Sequence, residues 1–82
     1  MTPALPAEVL DTARQHAGLS MVQLWFEYAV LGGSASLDEV GAFLAGVTTP
    51  GSYQYDMLAQ ALNDVFVGQG GNHPVPYAED SA

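Results

Sequence analysis

The 82-residue sequence contains no cysteine, no lysine and a single arginine, Arg14. Without cysteine the chain forms no disulfide and offers no thiolate ligand to a metal. A domain of this size buries only about 60–65% of the surface that its unfolded chain exposes, so its core is small. The composition therefore predicts one small domain that is stabilised by packing alone, with no metal and no cofactor.

Positive charge is almost missing as well. Nine acidic residues stand against one basic residue, which gives a formal net charge of −8. Because Lys and Arg supply most of the affinity of proteins for nucleic acid, we predict that the chain binds none. A basic protein surface is the natural electrostatic partner of such a chain. An acidic decoy, which occupies the nucleic-acid site of another protein, stays open as one alternative.

A long uninterrupted apolar run is also lacking. Residues 17–37 carry Glu27 as their only charge, but two glycines and two serines at 32–36 interrupt them and no Lys or Arg flanks them. The first ten residues lack the basic start and the apolar stretch of a signal peptide. We therefore predict a cytoplasmic protein without a membrane span.

Helical periodicity predicts an all-α fold with four helices, at about 6–16, 21–31, 37–46 and 52–67. We expect the second helix to be central, because nearly all of its residues are apolar and a helix of that kind is buried on most sides. Helices 2 to 4 with their short turns could form the tri-helical core of a helix-turn-helix protein. The basic residues that DNA binding requires are missing from it.

Helix 4 shows the clearest amphipathic pattern, and the chain after it changes character. The polar face predicted for this helix consists of Asp56, Gln60, Asn63 and Asp64. Residues 68–82 are rich in glycine, then in proline, and end with acidic residues. We predict a single helical domain at 1–67, followed by a flexible tail at 68–82.

Residues 31–40, LGGSASLDEV, are typical of one helix end followed by a helix start. Gly32 and Gly33 suit a C-terminal stop. Ser36 and Glu39 have the spacing of a capping box, as do Ser20 and Gln23 before helix 2. We favour this structural interpretation of the stretch.

Part of the same stretch, LGGSASL, is similar to the LGG-x-S-L attachment motif of peptidyl and acyl carrier domains. In that family a serine at a helix N-terminus bears phosphopantetheine, and the matching residue here is Ser36, followed by Leu37. The resemblance implies an alternative function, a carrier whose prosthetic group is attached to Ser36.

The residues of an enzyme site are not apparent. Asp38 and Glu39 are adjacent and therefore point apart on a helix, whereas acid–base chemistry needs groups that converge in a pocket. His16 and His73 stand in unrelated contexts and make a poor metal set without cysteine. No nucleophile-elbow, P-loop or dinucleotide motif occurs. We predict a protein with no catalytic residue and no enzymatic activity.

Aromatic side chains supply the candidate partner-binding residues. Neighbouring residues of a helix differ in direction by about 100°, so aromatics that are close in sequence cannot all face one core. Such side chains are common anchors of interfaces, and the HPVPY segment of the tail is a candidate for polyproline-type docking. The candidates are Trp25, Phe26, Tyr28, Tyr53, Tyr55 and Tyr77.

These observations together favour a non-catalytic protein–protein interaction module. We predict a small acidic helical domain with a regulatory or adaptor-like role. Its partner is either a protein surface of basic and apolar character or a second copy, which would make a dimer.

Overall fold

Four helices make up most of this computed structural model, which describes residues 6–71 and residue 75. They are α1 (Pro6–Ala17), α2 (Met21–Val30), α3 (Leu37–Ala45) and α4 (Ser52–Gly68). Residues 6–71 contain no strand. The predicted all-α fold with four helices is confirmed, and every predicted boundary lies within one residue of the observed one.

Both predicted capping boxes are present. Ser20 Oγ accepts a hydrogen bond from the Gln23 N–H at 3.1 Å, and Gln23 Oε1 accepts one from the Ser20 N–H at 2.7 Å. Ser36 and Glu39 repeat this arrangement at 3.1 and 2.9 Å. Each box pairs backbone N–H groups that the first turn of a helix leaves without partners. The side chains at these positions therefore fix where α2 and α3 begin.

The turn between α1 and α2 is held by the arginine. Gly18 adopts a φ of 75°, a left-handed conformation that ends α1 and that glycine adopts without strain. Arg14 Nη1 donates to the Leu19 carbonyl oxygen at 2.8 Å, and Arg14 Nη2 lies 2.9 Å from Asp11 Oδ1. The guanidinium thus joins the last turns of α1 to the loop that follows.

The core lies among all four helices, since α3 and α4 each contact both α1 and α2. Only two residues of α2, Leu24 and Tyr28, are buried. The longest helix, α4, contributes six, which are Tyr55, Leu58, Ala59, Ala61, Leu62 and Asn63. In this respect the structure differs from our expectation of a central second helix, because none of the other three described helices covers the outer side of α2. The likeness of α2 to α4 to a helix-turn-helix core stays a prediction.

Asn63 departs from the polar face predicted for α4, because its side chain is fully buried. Its Nδ2 donates to the Val75 carbonyl oxygen at 2.9 Å, and its Oδ1 accepts from the Val75 N–H at 3.0 Å. These two bonds compensate for the burial of the amide. Val75, which falls in the predicted tail, is only 3% exposed and belongs to the hydrophobic core.

Candidate functional site

The outer side of α2 is an exposed apolar surface. Val22, Phe26 and Val30 follow one another at intervals of four residues and are 57%, 60% and 66% exposed. Residues four apart lie on the same side of an α-helix, so the three side chains form one row. We call this row the α2 outer face. At about 100° per residue, Phe26 lies about 160° from each of the buried residues Leu24 and Tyr28.

The α2 outer face carries no charge of its own. Glu27 is the only charged residue of α2, and it lies on the flank of the row, half-buried. Gln23 is the exposed polar neighbour. Other acidic residues of the described chain lie on the remaining helices, at Glu8, Asp11, Asp38, Glu39, Asp56 and Asp64. An uncharged apolar row thus interrupts the surface of a strongly acidic protein.

Tyr28, one of the predicted anchors, lies instead in the core. Its ring is fully buried, and its hydroxyl donates to Gln54 Oε1 and accepts from the Ala35 N–H at 2.8 Å. Gln54 in turn donates from Nε2 to Ser34 Oγ at 3.2 Å. The Tyr28 side chain therefore connects α2, the α2–α3 loop and the first turn of α4, and it presents no surface to a partner.

The two glycines of LGGSASL fit the packing around Tyr28. Gly32 has a φ of 99°, which side chains other than hydrogen rarely allow. Gly33 lies so close to Tyr28 that a Cβ atom at this position would overlap the Tyr28 ring. Local packing and backbone conformation therefore account for both glycines.

Trp25 binds the backbone of Ala35, the residue that precedes Ser36. Trp25 is half-buried against the core, and its Nε1 donates to the Ala35 carbonyl oxygen at 3.1 Å. With the bond from the Ala35 N–H to Tyr28, both backbone groups of Ala35 are paired. Ser36, which follows, is exposed at the N-terminus of α3, where its Oγ caps the helix.

The two tyrosines at the start of α4 separate into an exposed and a buried residue. Tyr53 is 65% exposed, whereas Tyr55 is 9% exposed. Burial, and then the negative charge of Asp56, raises the pKa of the Tyr55 hydroxyl above its ordinary value. Of the predicted anchors, Phe26 and Tyr53 are the exposed ones, and Tyr77 lies outside the described residues.

An open pocket of about 330 Å³ lies between α1 and α4. The residues that line it are Glu8, Val9, Thr12, Ala13, His16, Phe66 and Val75. Its wall is mostly apolar, with Glu8 and His16 as its ionisable side chains. Within the part of the chain that the structure describes, no three His, Asp or Glu side chains are grouped so that they could hold a metal ion.

Two polar residues have central roles that the sequence analysis does not predict. No role is predicted for Gln54, and Asn63 is predicted to lie on the polar face of α4. The sequence does carry a signal for Asn63, because helical spacing places it on the same side of α4 as Tyr55 and Ala59, two apolar residues that are buried in the structure. Nothing in the sequence near Gln54 points to Tyr28, which is 26 residues away along the chain.

A function for this chain must be inferred from the surfaces described above, because comparisons with known proteins found no match. No protein-family model matches the chain, and neither a curated protein nor a solved structure matches it. Among the described residues, none of the helices combines the length and the hydropathy needed to cross a bilayer.

Proposed function

We propose that this chain is a non-catalytic protein–protein interaction module that binds a second copy of itself through the α2 outer face. The observation that carries the proposal is the continuous exposure of Val22, Phe26 and Val30 on one side of a helix. An exposed apolar row with an aromatic side chain at its centre is typical of an interface. Phe26 is the expected anchor.

The charge distribution supports a second copy as the partner. The chain has a net charge of −8, so two copies repel each other wherever their acidic helices meet. The α2 outer face is a surface on which the apolar rows of two copies can touch, with Glu27 as the only carboxylate of α2 on its flank. A basic partner would instead gain its electrostatic energy at the acidic side chains of α1, α3 and α4, and would leave the α2 row uncovered.

The spacing of the row also suits self-association. In a twofold dimer the same surface meets itself, so one row of side chains must fit into the grooves beside its symmetry mate. Rows of residues at intervals of four pack into each other when two helices cross at about −50°. Val22, Phe26 and Val30 form such a row, with Phe26 at the crossing point.

We expect a weak dimer. A helix of ten residues, such as α2, is about 15 Å long. The contact is therefore smaller than the roughly 800 Å² per partner of a standard interface, and dissociation in the micromolar range or above is typical of such contacts. Association of this strength suits a regulatory or adaptor-like role, which stays a prediction.

The test is sedimentation equilibrium of the wild-type chain from micromolar to millimolar concentration, at low and at high salt. Phe26→Asp places a charge at the centre of the row and should weaken association at least ten-fold. Val47→Asp makes the same change in charge at a residue that is 76% exposed and lies outside α2, and it should leave association unchanged. Salt should strengthen the dimer, because it screens the repulsion between two acidic chains.

The outcomes separate the possible partners. A wild-type chain that stays monomeric at every concentration contradicts the proposal. A complex with a basic protein that weakens as salt is added would point to the acidic helices, and thus to the decoy alternative. Equal weakening by Phe26→Asp and Val47→Asp would show that net charge, rather than the α2 outer face, controls association.

The carrier alternative is supported by one observation, the exposed position of Ser36 at the N-terminus of α3. Its capping role and the packing of Tyr28 account for the same stretch without a prosthetic group. The intact mass of the protein purified from its own host distinguishes the two. An addition of the mass of phosphopantetheine that disappears in Ser36→Ala would support a carrier, and an unmodified chain supports the structural role.

A further inference from the structure

Asn63 binds the backbone of one residue with both ends of its side-chain amide. Its Nδ2 and Oδ1 pair with the C=O and the N–H of Val75, at 2.9 and 3.0 Å. A neighbouring β-strand would offer the same pair of groups to an extended residue. Here a single buried side chain on a helix does so, at a point 12 residues away along the chain.

The side chain of Val75 lies in an apolar part of the core beside this amide, and we call this part of the core the seat. Val75 is 3% exposed and belongs to the same core cluster as Leu10, Ala13 and Leu62. It also lines the open pocket between α1 and α4, together with side chains of α1. The seat and the pocket are continuous, because Val75 contributes to both.

The sequence around residue 75 fits recognition by this amide. Pro74 and Pro76 flank Val75, and proline has no N–H, so Val75 is the only one of these three residues that can donate to Asn63. The helical conformation is also disfavoured for a residue before a proline. The Pro-Val-Pro unit therefore offers one donor, in one register, with little conformational entropy to lose on binding.

We propose that Asn63 and the seat around Val75 form a binding site for a peptide with the Pro-Val-Pro sequence, occupied in cis by the chain's own residue 75 and open in trans to the same segment of a second copy. The segment in cis has the advantage of a high effective concentration, in the millimolar range for a short tether. The segment of a second copy enters when the one in cis is released. This site is distinct from the α2 outer face and does not depend on it.

The experiment uses the full chain with Val75→Asp, which sets a carboxylate against the apolar seat and removes the occupant in cis. The probe is a fluorescent peptide with the sequence of residues 71–82, GNHPVPYAEDSA. The control peptide carries Asp in place of the valine. The control protein carries Asn63→Leu in addition, which keeps the size of the side chain and removes the amide. Salt at about 0.3 M limits repulsion between the acidic peptide and the acidic chain.

We expect the peptide to bind the Val75→Asp chain saturably, at least ten-fold more tightly than it binds the wild type, in which the site is filled. The control peptide and the Asn63→Leu protein should each lose at least ten-fold in affinity. No saturable binding to the Val75→Asp chain would overturn the proposal and leave Val75 as a permanent part of the core. Binding that does not depend on Asn63 or on the valine would overturn it equally.

A second measurement covers the case in which the Val75→Asp chain does not fold. The peptide that carries valine should then restore helical circular dichroism and raise Tm in proportion to its concentration, because a ligand of the folded state stabilises it. The control peptide should do neither. Failure of the valine peptide to restore folding contradicts an exchangeable site.

Discussion

The two sides of α2 are alike in composition and differ in what covers them. Leu24 and Tyr28 face inward and are fully buried, whereas Val22, Phe26 and Val30 face outward and are more than half exposed. The inner side also carries the Tyr28 hydroxyl, whose bonds to Ala35 and Gln54 bind α2 to the rest of the domain. The apolar composition of a helix side therefore indicates that some other surface packs against it. Which side packs inside the domain is revealed by the polar contacts of Tyr28.

The largest difference between the two sides should appear on truncation to alanine. Tyr28→Ala removes a buried aromatic ring and its hydrogen bonds, which should lower the free energy of unfolding by about 3–5 kcal/mol. That is comparable with the whole stability of a domain of this size. Phe26→Ala should change it by less than about 0.5 kcal/mol, since the side chain is largely exposed in the monomer.

Urea denaturation measures both variants, at a protein concentration well below the dissociation constant of the proposed dimer. Tyr53→Ala is the matched tyrosine control, because Tyr53 is also exposed. Equal losses for Tyr28→Ala and Phe26→Ala would contradict the assignment of an inner and an outer side to α2.

A smaller effect is expected where a single methyl group is added beside Tyr28. Gly33→Ala would place its Cβ within the Tyr28 ring, so ring and loop must shift, at a cost of about 1–3 kcal/mol. Gly41→Ala is the matched control, because a Cβ at this position in α3 meets nothing within 4 Å. It should stabilise the chain by up to about 1 kcal/mol through helix propensity.

Thermal unfolding of the two glycine variants compares them under one condition. We expect Tm to fall for Gly33→Ala and to rise for Gly41→Ala. A Gly33→Ala chain as stable as the wild type would mean that the ring of Tyr28 is not held against the α2–α3 loop.

The smallest expected effect is on the pH dependence of stability, and it compares the buried Tyr55 with the exposed Tyr53 in α4. The pKa of Tyr55 is raised by burial and then by Asp56. The folded chain therefore holds the Tyr55 proton more tightly than the unfolded chain does. Its contribution to stability is complete below the ordinary tyrosine pKa and is lost as the pH rises through and beyond that value.

Urea midpoints measured from neutral to alkaline pH test this direction. Tyr55→Phe should flatten the fall in stability at alkaline pH, and Tyr53→Phe should leave it as in the wild type. An identical slope in both variants would assign the alkaline loss of stability to other groups.

The local structure of this chain could be predicted from its sequence, and its tertiary contacts could not. The capping boxes at Ser20 and Ser36 depend only on residues three positions apart, and they set helix starts that the structure confirms. The orientation of α2 depends on which of two apolar sides meets α3 and α4. The inner side is selected by two contacts of Tyr28. Gly33 leaves room for its ring, and Gln54, from a distant helix, accepts a hydrogen bond from its hydroxyl.

Asn63 shows the same limit for a polar residue. Its polar neighbours favour exposure and its spacing from Tyr55 and Ala59 favours burial, but neither pattern can reveal that Val75 returns to pair with it. A buried polar group of this kind is decided by a partner that is remote in sequence. The candidate site at the α2 outer face was predicted in part, since Phe26 is exposed while Trp25, Tyr28 and Tyr55 contribute to the core or its edge.

The position of Arg14 has a practical consequence for measuring local opening. Trypsin cleaves after Lys and Arg, so the Arg14–Gln15 bond is its single target in this sequence. That bond lies within α1, and the guanidinium is engaged with Asp11 and the Leu19 carbonyl. A protease must wait for the helix to unwind before it can cut. The rate of tryptic cleavage therefore reports the opening of α1, and the measurement requires no label and no engineered cleavage site.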